Sequence, residues 1–388
     1  MKRQDISKRA RLRFAHRGRA LFVVAALLCS FGALSLPLTA SASTANKKSS
    51  GNCTTANGIK IKDNPSVCKG IAFYKGQTIT LYNIASIGGP FDDLDIVAQP
   101  FLQQYFGATV NILSITTGNT IPGQDAEMAA TPNGLTLGLF NVLNDASLIL
   151  EGDTAVNFNP AREAYLAATG PAPQPMVTTP GSGYTSFASM MSASSAGNLK
   201  TLTQDSGTAN TLLRVWYGVQ GLKTQWIPGY TSLALENTGL LRGDGPLAMI
   251  SLSTSCSELQ AGTEIAIMAN DVPPPGTDCR KYLTGLPSFK TLAKQYGKTK
   301  AQKKLWSTVL ALDAASGTPF VTQTGVAGYK IDALRNMMVW MFKQPGFITG
   351  AEADGLNPTY TSPTAAKADY VTTLKDGKSV ICYVEGSC

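Results

Sequence analysis

The stretch "TITLYNIASIGGPFDDLDIVAQPFLQQYF", residues 78–106, constrains the fold more than any other part of the chain. A β-type run from Thr78 to Tyr82 enters a turn of small residues containing Gly88 and Gly89, and leaves it as a helix. Leu94, Val97, Ala98, Phe101, Leu102 and Tyr105 recur at helical spacing and give that helix one apolar face. Asp92 and Asp93 fall in its first turn, where carboxylates complement the positive end of the helix dipole. A strand in "TVNILSI" follows, then a short helix in "GQDAEMAATPNG" stopped at Pro132 and Gly134, then a strand in "LTLGLFNV". Strand–helix–strand units of this length argue for a parallel sheet with right-handed crossovers, in the α/β class.

The middle of the chain repeats the pattern. "MVTT" is a strand before the turn "PGSG", and "YTSFASMMSASSAG" is helical. "LKTLTQDSGTANTLLRVWYGVQG" reads strand, polar turn, helix, with Ala209, Leu212, Leu213, Trp216 and Tyr217 on one face. "KTQWIPGYTSLALENTGLLRGD" does the same, and "GPLAMISLS" and "TEIAIMA" read as strands. Residues 270–288 are a loop rich in Pro and Gly. A basic helical region broken at Gly297, a strand "PFVTQT" and a helix carrying Ile331, Leu334, Met338, Met341 and Phe342 follow. The aromatic and methionine residues at helical spacing read as core.

The N-terminus stands apart. Residues 1–20 carry eight Lys or Arg, an apolar run "LFVVAALLCSFGALSLPL" follows, and Ala40-Ser41-Ala42 offers a small-residue cleavage site. This order is a secretory signal peptide over 1–42. Its removal changes the charge argument. The whole chain has 33 basic and 25 acidic residues, but 1–42 hold eight of the former and one of the latter, so 25 and 24 remain. That balance gives no support for nucleic acid or an anionic membrane as partner. The single histidine, His16, also lies in this segment. A chain without histidine is poorly equipped for Ser-His-Asp or Cys-His catalysis or for a histidine metal site. We therefore expect no enzyme, no metal and no cofactor. An exported serine hydrolase would lack its base, and no Ser-x-x-Lys pattern stands out.

Six cysteines remain after processing: Cys53, Cys68, Cys256, Cys279, Cys382 and Cys388. An even number in an exported chain implies disulfides. Sequence-local pairing gives Cys53–Cys68, Cys256–Cys279 and Cys382–Cys388; the alternative is that the terminal pairs cross-link the two ends of the chain. Residues 43–70 read as an extension, flexible at first and then closed by a disulfide. The remaining length suffices for two α/β lobes, and localisation outside the cytoplasm is expected.

Turns from strand to helix carry the chemistry. Such a turn exposes backbone N–H groups that lack a partner within the helix, and glycine lets an anion approach them closely. "ASIGGPFDD" can thus cradle a carboxylate without an arginine. "QDSGTAN" and "TTGNTIPG" are further turns of this kind, and in an open α/β sheet they meet in one crevice. "RGD" at 242–244 reads as a chance match, and the basic run "KTKAQKK" as a solvated helix face.

The order of these segments resembles the solute receptors of tripartite tricarboxylate transporters, the TctC or Bug-type binding proteins. "IASIGGPFD" stands in the place of that family's P-F-A-A-G-G-x-x-D turn, and "GQDAEMAATPNGLTL" matches the length and the P-x-G-x-T-L end of its next segment. "MVTTP", "SGTANTLLRVWYGVQG", "IPGYTS", "LQAGTEIAIMA" and "RNMMVWMFKQPGF" follow in register, so the similarity runs over about 72–375. The family's Arg four residues after the Asp of the opening turn is Ile96 here, and its N-R-P-G-A-G-G loop is "SITTGNT".

The resemblance implies a type II periplasmic-binding-protein fold, two α/β lobes joined by two crossing strands with a ligand cleft between them. Lobe 1 is expected over 71–178 plus 269–388 and lobe 2 over 179–268. It implies an exported receptor that takes a small organic acid, gripping it through backbone N–H groups and hydroxyls, and delivers it to the membrane permease subunits of a tripartite transporter. A sensor or surface scaffold of the same fold is the alternative. Ala85, Ser86, Gly88, Gly89, Asn119 and Thr120 are expected to contact the ligand from lobe 1. Thr179, Ser206, Gly207, Thr208 and Asn210 are expected to do so from lobe 2, with Tyr230 and Ser251 on the floor. Asp92 is expected to cap and order its helix rather than touch an anion.

Overall fold

The computed structural model describes residues 51–85, 87–115, 120–151, 156–204 and 207–376. The expected signal peptide, the leader before residue 51, Ser86, Asn119, Ser206, Cys382 and Cys388 lie outside the described residues.

The chain begins with a hairpin of β1 (Cys53–Thr54) and β2 (Lys60–Ile61) and a helix α1 (Pro65–Tyr74). The Cys53–Cys68 disulfide ties the hairpin to the helix, and Asn64 caps α1 by accepting the Val67 N–H. Next come β3 (Thr78–Asn83), α2 (Pro90–Phe106), β4 (Thr109–Ser114), α3 (Ile121–Ala129), β5 (Thr136–Leu139), α4 (Val142–Glu151) and β6 (Ala164–Ala168). The middle holds β7 (Pro175–Thr178), α5 (Phe187–Ser195), β8 (Lys200–Gln204), α6 (Thr208–Gln220) and β9 (Gln225–Tyr230). It continues through α7 (Leu233–Arg242), β10 (Leu247–Met249), α8 (Leu252–Ala261) and β11 (Ile265–Ala269). The last part holds α9 (Phe289–Tyr296), α10 (Lys300–Ala314), β12 (Pro319–Thr322), α11 (Gly328–Met341), α12 (Pro345–Ala353) and α13 (Pro363–Asp376).

Five strands form one sheet in the order β4-β3-β5-β12-β6. β3 runs parallel to β4 and β5, as the strand–helix–strand spacing predicts, and β8 pairs parallel with β9. β12 instead runs antiparallel to both β5 and β6. A strand that returns from a distant part of the chain takes its direction from the return path, not from a local crossover. A second sheet, β10-β7-β11, is antiparallel throughout. "GPLAMISLS" is a strand only over Leu247–Met249, because the Ser251 hydroxyl accepts the Thr254 N–H and starts α8.

Each sheet has its own core. Leu81, Leu94, Ala98, Leu102, Leu137, Phe320, Leu334 and Met338 fill the first. The apolar stripe expected on α2 is therefore the face that covers the five-stranded sheet, and burying each of its large side chains stabilises by roughly 1.5–3 kcal/mol. Met176, Leu212, Trp216, Met249, Ile267, Phe289 and Trp306 fill the second. Residues 289–314 pack with this second core, although the expected boundary counted them with lobe 1. The large side chains of Phe289, Trp306 and Val309 find their apolar partners on α6, and the chain rejoins the first sheet only at β12. The Cys256–Cys279 disulfide fastens the loop after β11 to α8. Both local pairings that fall within the described residues are thus formed, so Cys53 and Cys68 are not cross-linked to the other end of the chain.

No helix among the described residues is long and apolar enough to cross a membrane.

Candidate ligand-binding site

The turn between β3 and α2 is built by two buried side chains. Asn83, the last residue of β3, accepts the Ala85 N–H at 3.0 Å through Oδ1 and donates through Nδ2 to Asp92 Oδ1 at 2.7 Å. Asp92 Oδ2 accepts the Gly88 N–H at 2.8 Å. Asp92 is 5% exposed, so its carboxyl group belongs to the turn and not to solvent. Glycines make this turn tight, and an Asn–Asp bracket fixes it. Gly89 then caps α2 in an extended conformation and Pro90 opens the helix.

A cavity of about 130 Å³ lies between the parts built on the two sheets. Four helices begin on its wall. Gly89, Pro90 and Phe91 come from the start of α2, Asn141 and Val142 from α4, Gly207, Thr208 and Ala209 from α6, and Ser232, Leu233 and Ala234 from α7. Thr120, at the cap of α3, is a fifth such contribution. Residues of the segments 169–174 and 316–318, which link the two sheets, add to the wall, as do Leu356 and Asn357. No acidic or basic side chain is present among the described lining residues. The electrostatics of the cavity therefore come from helix starts, whose unpaired N–H groups and dipoles favour negative charge.

Of the thirteen residues expected to touch a ligand, Ala85, Gly89, Thr120, Gly207 and Thr208 line this cavity. Ser86, Asn119 and Ser206 lie outside the described residues. The other five are placed elsewhere, each for a visible reason. The Gly88 N–H is engaged by Asp92. Asn210 Oδ1 accepts from Thr203 Oγ1 and from Arg214 Nε, tying α6 to β8. The Tyr230 hydroxyl donates to Asp244 at 2.9 Å, within an ion pair of Arg242 with Asp244 that accounts for the "RGD" tripeptide. Those two donors hold the Asp244 carboxyl down at about 2. Ser251 caps α8, and the Thr179 carbonyl accepts the Ser182 N–H.

Residues the sequence did not announce complete the wall. Phe140 and Asn141 follow β5 directly, and Asn141 Oδ1 accepts the Thr208 hydroxyl at 2.5 Å, a direct bond from one side of the cleft to the other. Thr120 is backed by a buried chain: it donates to Gln124 Oε1 at 3.3 Å, Gln124 donates to Asp145 at 2.8 Å, and Asn144 donates to Thr120 at 3.3 Å. Burial pushes the Asp145 carboxyl well above its ordinary range. Among the described residues, the only cluster with metal-ligand spacing is Cys256, Asp278 and Cys279, and its two sulfurs are joined to each other.

Gly207 is a position where only glycine fits. Its φ is +119°, and a Cβ would stand 2.8 Å from Gln204 Oε1. Gly207→Ala should cost about 1–3 kcal/mol of stability through backbone strain, read as a lower denaturation midpoint, and should deform the wall that Gln204 shares with Thr208.

This architecture is that of the two-lobed periplasmic solute-binding proteins. The solved structures it resembles include the R. palustris protein Rpa4515 with adipate (15% identity, TM-score 0.63, 80% of this chain and 97% of that one). MatC from Rhodopseudomonas palustris with bound malate matches at 12% identity and TM-score 0.62, over 79% of this chain and 99% of that one. The periplasmic binding protein BugD matches at 13% identity and TM-score 0.63, over 80% and 97%. The fold is therefore the one that the sequence resemblance implies, that of the TctC/Bug-type solute-binding proteins. No family model matches the chain, and no curated protein sequence matches it.

Proposed function

We propose that this protein is an exported receptor that captures a small organic acid in the cleft between its lobes and delivers it to the permease subunits of a membrane transporter. The observation that carries the reading is the convergence of four helix starts on one cavity whose described lining holds no charged side chain. Such a site attracts an anion through backbone donors and dipoles, needs no metal or cofactor, and offers no nucleophile–base pair for catalysis. The adipate and malate bound by Rpa4515 and MatC, which share the fold, support a carboxylate as ligand. The lobes would close by bending at 169–174 and 315–318, the segments that join them, with the Asn141–Thr208 bond holding the closed form. The basic, apolar leader supports a site of action outside the cytoplasm.

A thermal-shift screen of the purified protein tests this. Mono-, di- and tricarboxylates, acidic amino acids, aromatic acids and neutral sugars form the panel. An acid at a hundredfold excess over its dissociation constant is expected to stabilise the fold by about 2.7 kcal/mol. The shift should disappear in Gly89→Trp, which fills the start of α2. A shift with a sugar and with no acid would overturn the proposal.

A further inference from the structure

We propose that Asn141 grips the carboxylate directly, its side-chain Nδ2 donating to the anion at the point where the starts of α4 and α6 meet. The inference rests on the carboxylate reading above and deepens it by assigning the contact. Asn141 stands immediately before α4, and its carbonyl accepts the Asp145 N–H at 2.9 Å, so it is the cap of that helix. Thr208 is the first residue of α6. Both line the cavity, and the Thr208 hydroxyl donates to Asn141 Oδ1. Two helix starts are therefore brought together, each offering first-turn backbone N–H groups and the positive end of a dipole. Like partial charges meet there, and an anion between them relieves the repulsion.

The amide of Asn141 is a second and independent sign of a ligand. Asn141 is 6% exposed, and the bond with Thr208 is the one hydrogen bond that its side chain makes among the described residues. Nδ2 thus has no protein partner, yet it is not sealed from solvent, and the residue that carries it lines the cavity. The same bond decides which atom faces the ligand. The Thr208 hydroxyl has no other acceptor among the described residues, so its proton goes to Oδ1 and Nδ2 is turned the other way. The amide is also held in place, because Leu143 of α4 belongs to one apolar core with Leu212 and Leu213 of α6. A hydrogen bond to an ionised group is among the stronger ones a protein makes. A fixed neutral donor of this kind can hold a carboxylate where no arginine or lysine stands among the described lining residues.

The test is isothermal titration of the purified protein with malate, adipate, glutamate, citrate and benzoate, or, where none of these binds, with the acid that gives the largest shift in the thermal screen. Asn141→Leu and Asn141→Ala remove the donor together with the cross-cleft bond. Thr208→Val removes that bond alone. Both Asn141 variants are expected to bind the tightest of these acids at least about tenfold more weakly than Thr208→Val does. Equal losses in all three variants overturn the inference, because the cross-cleft bond then accounts for everything Asn141 does. A loss confined to Asn141→Leu, with Asn141→Ala matching Thr208→Val, is crowding by the leucine and overturns it too. Binding of no acid by the wild type, in titration or in the thermal screen, overturns the carboxylate reading itself and this inference with it.

Discussion

Asp92→Ala is expected to destabilise the protein by roughly 2 kcal/mol, because it removes the main acceptor of the buried Asn83 Nδ2 and frees the Gly88 N–H at the surface of the turn. For a chain of this size that corresponds to a drop in Tm of roughly 3 °C, measurable by calorimetry. The same bracket holds the small-residue turn against the start of α2, so affinity for any cleft ligand should fall as well. Asp93 provides the control. It sits one position further along the same helical turn, but burial and the neighbouring Asp354 and Asp92 carboxyls raise its pKa to about 7. Asp93→Ala removes a poorly placed acid and should leave Tm at pH 8 unchanged or raised. Equal losses for the two variants would mean that the Asn83–Asp92 bracket does not shape the turn.

The second large effect is a loss of stability with rising pH. Burial raises Glu236 to about 8 and, with Asp271 adding, Asp313 to about 7. It also pushes Asp95, Glu127 and Asp145 well above the carboxyl range. A raised carboxyl pKa means that the folded state holds its proton more tightly than the unfolded chain does. The resulting stabilisation is complete below about pH 4, where both states are protonated, and is lost as pH rises through 7 to 8. Each such group removes about 1.4 kcal/mol per pH unit across that window. Denaturant unfolding at pH 5 and at pH 8.5 should therefore give a clearly lower midpoint at the higher pH. Identical midpoints would show that these acids are hydrated in the folded protein. Glu236→Gln should flatten part of the dependence.

What the sequence revealed about the site was the part with local punctuation. Gly89, Gly207 and Thr208 sit at strand-to-helix turns, where small residues and glycines mark the chain, and the cavity does form around them. Ser251 and Asn210 carry the same small polar signature, yet a hydroxyl or carboxamide at a helix start serves its own helix as readily as a ligand. Periodicity cannot separate the two uses. Phe140, Gln174 and Asn357 carried no signal, because each reads as the end of a strand or a loop. They become a wall only when 169–174, 316–318 and 357 are brought together across some 180 positions of sequence. The direction of β12 was illegible for the same reason. Asp95 carried no signal either: it stands beside the apolar face of α2, and the structure buries it completely.

The absence of charged side chains from the described lining has a kinetic corollary. An anion drawn by exposed lysines and arginines is steered from a distance, and its capture slows as salt screens the field. Helix ends act over a single turn, so their pull on an anion is felt only close to the wall of the cavity. On the proposed reading, the lining adds no salt-dependent steering of its own, and letting go of the solute requires no ion pair with a described lining residue to be pulled apart.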